Sequence, residues 1–208
     1  MIRVAIVDDH PATASGLATL LEREPDLQVA GIAGSLDESR RLLSPETTDV
    51  ALVDVQLQGE PSGFEIVREA SEHGGPAVIL LSSYEYPVFH ARALELGARG
   101  YLEKTASVAE ILGAIRTVAA GGMAFSRVAI RDAMTAPRPP SDRELQVIRL
   151  VAAGHSNDEI GARLGLTEKS VESHLRRLFG RYGLASRTEL TTAAITQGWV
   201  TLGDQRRE

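Results

Sequence analysis

The sequence predicts an α/β fold, a doubly wound five-stranded parallel sheet, followed by a small all-α domain with helix-turn-helix proportions. Three observations predict it. Short, wholly apolar runs alternate with helix-period segments over the first 120 or so residues. Pro137, Pro139 and Pro140 then interrupt the chain, and proline at that density forbids a continuing helix and favours an extended connection. Beyond it lie four short segments, each opened by a capping residue and three of them closed by glycine.

The strands come first. Val4 to Val7, Leu27 to Ile32, Val50 to Val53, Val78 to Leu81 and Gly100 to Leu102 are too short for helices and too uniformly apolar for one-sided strands. They suit a central sheet covered on both faces. Between them Leu17, Leu20 and Leu21, then Phe64, Val67 and Ala70, then Val108, Ile111, Leu112 and Ile115 recur at helical spacing. Ser107 with Glu110 forms a capping box that opens the last of these helices. The expected boundaries are a first domain at 1–120, a linker at 121–140 and a second domain at 141–208.

Composition narrows the function. The 208 residues contain no cysteine, which excludes a disulfide scaffold, thiol catalysis and Cys-ligated zinc, and leaves oxygen or His ligands for any metal. No apolar run reaches membrane-spanning length, so no membrane role is expected and the cytoplasm is the expected compartment. Up to Pro137 there are 11 Lys and Arg against 19 Asp and Glu; from Arg138 onward the count is 11 against 9. An acidic first part and a faintly basic second part suit different partners.

In a doubly wound sheet the ligand site lies at the carboxyl ends of the strands. That rule gathers Asp8 and Asp9 after the first strand, Asp54 at the end of the third, Ser82 at the end of the fourth and Lys104 after the fifth. Singly, such residues are more often turn formers, caps or solvated charges. Together, three carboxylates supply hard oxygen ligands for Mg²⁺, which takes one or two carboxylates plus waters and phosphate oxygens. One carboxylate can then attack phosphorus to form an acyl phosphate, with a hydroxyl and an ammonium steadying the oxygens. The adjacent pair in AIVDDHPA is crowded because it shares an ion.

On these residues the first part resembles the receiver domain of two-component response regulators, a flavodoxin-like fold. The acidic pair Asp8 and Asp9, Asp54 in LVDVQL, Ser82 in ILLSSY, and Tyr101 with Lys104 in GYLEK all match. The resemblance implies phosphotransfer from a sensor histidine kinase to Asp54, Mg²⁺ held by Asp8, Asp9, Asp54 and the backbone carbonyl of Gln56, and Ser82 and Tyr101 as switch residues. Two departures stand out. Leu57-Gln58 replaces the usual Met-Pro pair and Gly63 falls nine residues after Asp54 instead of eight, while Thr105 follows Lys104 where many receivers have Pro.

The second part opens its helices with Ser141 and Glu144, Ser156 and Glu159, Thr167, and Ser186 and Glu189, and Gly154, Gly165 and Gly183 provide stops. Asp158 to Leu164, the turn Gly165-Leu166-Thr167 and Glu168 to Arg181 have helix-turn-helix proportions. Val171, Leu175, Leu178 and Tyr182 should be core. Between Lys169 and Arg187 five cations, Lys169, Arg176, Arg177, Arg181 and Arg187, face the single acid Glu172, a face suited to phosphates. A solvated amphipathic face is the plain alternative.

The segment from Ser141 to Trp199 resembles the LuxR-type helix-turn-helix. Carried over, Glu172, Ser173 and Arg176 face the groove; Lys169, Arg177 and Arg181 meet phosphates; His174 packs or contacts DNA; and the helix Glu189 to Gly198 supplies a dimer contact. A receiver joined to this module is the NarL/FixJ class. The resemblance implies a transcription factor that dimerises on phosphorylation and binds double-stranded DNA, with RNA polymerase as a further partner, and is not an enzyme. Haloacid-dehalogenase-like phosphatases also place a nucleophilic Asp after the first strand, but they need a second Asp where this chain has His10. A receiver governed by partner binding without phosphorylation is the other alternative.

Overall fold

The computed structural model describes residues 1–58, 62–83, 87–196 and 199–200, and divides into two compact units, Met1–Ala136 and Pro137–Glu208. The first unit holds β1 (Ile2–Val7), α1 (Pro11–Leu21), β2 (Leu27–Ala33), α2 (Leu36–Leu42), β3 (Val50–Asp54), α3 (Gly63–His73), β4 (Ala77–Ser82), α4 (Pro87–Leu96), β5 (Gly100–Glu103) and α5 (Val108–Ala119). All five strands are parallel, in the order β2-β1-β3-β4-β5. The order reverses direction between β1 and β3, so the crevice above their carboxyl ends is the topological switch point where such sheets bind ligands.

The apolar runs explain the layers. Val4, Ile6, Val50, Leu52 and Ile79 are fully or almost fully buried and pack on Leu21, Ile111, Leu112, Ile115 and Val118, because strands covered on both faces have no polar side to alternate with. The capping box of α5 is formed in both directions, with the Glu110 backbone N–H donating to Ser107 and the Glu110 carboxylate accepting from the Ser107 backbone.

One expectation needs correction. The span 121–140, expected as a linker, contains a further helix, α6 (Arg127–Thr135), that packs against α4. Before it the chain runs beside β5: the Tyr101 backbone N–H donates to the Ala124 carbonyl at 3.0 Å, and the Ala124 N–H donates to the Arg99 carbonyl at 2.8 Å. This pairing occupies an otherwise open sheet edge. Ser126 caps α6 by accepting from the Ala129 N–H, and small side chains let the helix sit close, with Ala129 buried. The helix ends before Pro137, which disfavours helical backbone in the residue ahead of it.

The second unit holds α7 (Asp142–Ala152), α8 (Asn157–Leu164), α9 (Glu168–Tyr182) and α10 (Arg187–Thr196). Its core is Leu145, Val147, Ile148, Val151, Ile160, Val171, Leu175, Leu178 and Leu190. The capping boxes at Ser141 and Ser156 are present, and Ser186 accepts from the Glu189 N–H while Glu189 reaches back to the Ala185 N–H. Gly161 lets the turn close onto α8, since a Cβ there would stand 2.7 Å from the Leu166 carbonyl oxygen. Tyr182, expected in the core, is half-buried, packs against Trp199 with ring centroids 4.6 Å apart and planes tilted by 51°, and donates its hydroxyl to the Arg138 carbonyl. The last two residues of the expected closing helix, Gln197 and Gly198, lie outside the described residues. No helix among the described residues is long and apolar enough to cross a membrane.

Candidate functional site

The strand ends bring four of the expected pocket residues together. Asp8, Asp54 and Ser82 are buried, and the Lys104 ammonium lies between two carboxylates, donating to Asp8 Oδ2 at 2.8 Å and Asp54 Oδ2 at 2.7 Å. The Gln56 N–H donates to Asp54 Oδ1 at 3.1 Å, and the Gln58 N–H donates to Asp9 Oδ2 at 2.8 Å. A cavity of about 420 Å³ opens over this group, lined by Asp9, His10, Asp54, Gln56, Ser82, Ser83 and Lys104.

Burial raises the Asp54 carboxyl above its usual value despite the hydrogen bonds from Lys104 and the Gln56 N–H. Burial works against the Lys104 ammonium, but its bonds to Asp54 and Asp8 outweigh that and raise its pKa. The residues present fit a hard cation. Asp9 Oδ1 is buried with no hydrogen bond of normal geometry, and ligand atoms of Asp8, Asp9, His10 and Asp54 all lie within 4.8 Å of one another.

A carboxyl whose folded pKa is raised is charged at a cost to folding at neutral pH, and the native state gains stability as pH falls toward that pKa. Asp54→Asn is therefore expected to raise the melting temperature without Mg²⁺ and to shrink the increase that Mg²⁺ gives. Melting curves of both proteins with and without the ion check it; unchanged melting in both conditions contradicts it.

Tyr101 does not line this cavity. Its ring is buried against His90, centroids 4.7 Å apart and nearly perpendicular, and borders a separate groove with Ala106, Phe125 and Ala129. The structure thus has the aromatic ring already turned in, beside the chain that leads into α6.

Three features of the pocket were given no structural role from the sequence. Gly63 presses on the backbone beneath the acceptor, where a Cβ would stand 2.8 Å from Val55 Cα. Gln58 has a left-handed φ of 55°, uncommon without glycine, and occupies the position where the related pattern has proline, which has no N–H to give Asp9. His10 sits against the acidic pair. The spacing departure after Asp54 was the available signal for the first two.

On α9, Lys169, Glu172, Ser173, Arg176 and Arg177 are exposed together. Glu172 and Arg176 form no ion pair with each other. His174 is half-buried with Nδ1 shielded, and burial, then Arg177, lower its pKa. Arg181, expected at a phosphate, needs correction: its guanidinium makes two hydrogen bonds, at 2.9 and 3.0 Å, to the buried Glu144 carboxylate. Arg187 is likewise turned inward, to Asn157 Oδ1 at 2.6 Å and to the His155 carbonyl.

Comparison with known proteins places both units. Residues 4–116 match the response regulator receiver domain, and residues 140–194 match the bacterial regulatory proteins of the luxR family. Transcriptional regulatory protein UhpA of Escherichia coli (strain K12) is 37% identical over 96% of this chain and all of its own. Transcriptional regulatory protein LiaR of Bacillus subtilis (strain 168) is 34% identical over 93% of this chain and 97% of its own. Among solved structures, the response regulator ChrA of a heme-sensing two-component system is 30% identical, with a TM-score of 0.54 over 96% of this chain and 98% of that one.

Proposed function

The chain belongs to the response regulators that join a receiver domain to a LuxR-type DNA-binding domain, the NarL/FixJ class, and from that premise we propose that it is a transcription factor switched by phosphoryl transfer to Asp54. The observation that carries this reading is the Lys104 ammonium shared by Asp8 and Asp54 beneath an open cavity. A sensor histidine kinase is the donor. An Asp54 carboxylate oxygen attacks phosphorus, the P–N bond to the kinase imidazole breaks, and the imidazole nitrogen keeps the electron pair.

Asp54 enters as the carboxylate, one oxygen accepting from the Gln56 N–H and the other from Lys104. Lys104 then follows the new negative charge from Asp54 to a phosphoryl oxygen, and the Ser82 hydroxyl donates to another. Mg²⁺ held by Asp8, Asp9, Asp54 and the Gln56 carbonyl would supply charge neutralisation on the transferring oxygens. Tyr101 and α4 carry the change outward to the surface that α6 covers. The output is a dimer on a two-fold related DNA site, with Lys169, Ser173, Arg176 and Arg177 of α9 turned to the groove and its phosphates. RNA polymerase and a cytoplasmic setting complete the reading.

A small phosphodonor with Mg²⁺ tests it. Mass spectrometry should find one added phosphoryl group on wild type and none on Asp54→Ala, and light scattering should find wild type moving from monomer toward dimer with a gain in DNA affinity. An adduct on Asp54→Ala would remove the assigned acceptor; an adduct on wild type with unchanged assembly and DNA affinity would remove the switch.

A further inference from the structure

Gln58, in the loop after β3, reaches across the crevice to Asp9, which follows β1. Its backbone N–H donates to Asp9 Oδ2 at 2.8 Å, a bond between positions 49 apart in the chain. The other two carboxylates are each held from two sides: Asp8 accepts from the His10 backbone N–H and from Lys104, and Asp54 accepts from the Gln56 N–H and from Lys104. Asp9 is held differently. Among the described residues the hydrogen-bond donor to its side chain is the Gln58 N–H, and His10 Nδ1, 2.9 Å from Oδ1, pairs with it as an ion only when the imidazole is protonated.

That bond orients the remaining oxygen. With Oδ2 tied to the loop, Asp9 keeps Oδ1 buried without a hydrogen bond of normal geometry, and the residue offers an oxygen within 4.8 Å of ligand atoms of Asp8 and Asp54. A buried carboxylate oxygen left without a donor is one a divalent ion can take.

The backbone of Gln58 is specific to the task. Its φ of 55° is a left-handed conformation that a side chain disfavours and that persists only where the surroundings impose it. Proline could neither adopt that conformation nor donate, since its ring fixes φ near −65° and removes the N–H. Glycine could do both.

We propose that Gln58 is a positioning residue for the cation site, its backbone N–H holding Asp9 so that one carboxylate oxygen faces the divalent ion before the ion arrives. The inference rests on the reading of Asp8, Asp9 and Asp54 as a Mg²⁺ site, and assigns the orientation of Asp9 to the loop that follows the phosphoacceptor. The Mg²⁺ concentration at which Asp54 accepts a phosphoryl group is then set in part by the conformation of that loop.

The test uses the full chain with Mg²⁺ as probe. Calorimetric titration should find Gln58→Pro weakened about tenfold or more, the usual effect of removing a group that orients a metal ligand, and Gln58→Gly within about threefold of wild type, because glycine keeps the N–H and accepts the left-handed backbone. Amide hydrogen exchange followed by NMR without the ion should find the Gln58 N–H protected in wild type and unprotected in Asp9→Ala, with the Gln56 N–H protected in both. If wild type binds Mg²⁺ but Gln58→Pro binds it equally well, or the proline and glycine variants lose equally, the N–H does not position Asp9 and the cation site stands. A Gln58 N–H that exchanges freely in wild type, or stays protected in Asp9→Ala, overturns the proposal in the same way, and decides it alone should Gln58→Pro fail to fold. If wild type binds no Mg²⁺, the cation site itself falls, and this inference with it.

Discussion

Replacing Glu144 by Gln is expected to lower the melting temperature of the C-terminal unit by roughly 10 to 20 °C. Burial alone would raise this carboxyl, but hydrogen bonds from Arg181 and from the Ser141 backbone reverse the effect and hold it at about 2, against an ordinary 4.5. The folded pKa is depressed, so the pair's stabilisation is fully present above pH 4.5 and is lost as pH falls toward 2. A separation of that size corresponds to about 3 kcal/mol, and a domain this small shifts by about 4 to 8 °C per kcal/mol. Calorimetry of the full chain should therefore show wild type and Glu144→Gln far apart at pH 7 and converging below pH 3. Arg181→Met should be at least as damaging, because it leaves the carboxylate buried with one fewer partner. A Glu144→Gln melt within about 2 °C of wild type at pH 7 would contradict the account.

The same pair shows where sequence reading stops. Glu144 was legible as the far half of a capping box, because that role is set by a spacing of three residues. Its bond to Arg181 joins positions 37 apart, and no local pattern distinguishes an arginine facing DNA from one folded inward on the same helix turn. The receiver pocket was legible because topology collects strand ends whatever lies between them, so Asp8, Asp54, Ser82 and Lys104 converged as expected. Helix α6 was not, since its inward face is alanine and its larger apolar residues, Val128, Ile130 and Met134, are exposed. Its amphipathic pattern points away from the surface it packs on.

With Arg181 of α9 and Arg187 of α10 turned inward, the proposed DNA face keeps three of the five cations, and its residues should separate by experiment. Lys169→Ala and Arg177→Ala should each weaken binding to every sequence and reduce the slope of log affinity against log salt by about 0.9, the signature of one lost phosphate contact. Arg181→Ala should lower the melting temperature and leave that slope unchanged below its melt. Arg176→Ala should cost about 1 to 3 kcal/mol at one guanine and little elsewhere. Glu172 decides the rest. Four residues ahead of Arg176 it could have held the guanidinium in a helical pair, but the two side chains are exposed and unpaired with each other. Its carboxylate is then free to accept from the amino group of a cytosine in the groove, a contact also worth about 1 to 3 kcal/mol of discrimination. Glu172→Ala is expected to erase preference at one base pair while affinity for random DNA rises, because a negative charge near the phosphates has been removed. Binding selections on wild type and Glu172→Ala read both effects at once. A gain in affinity that is equal for all sequences would leave Glu172 as a brake on non-specific binding, and loss of the Arg176 guanine preference in Glu172→Ala would restore the helical pair.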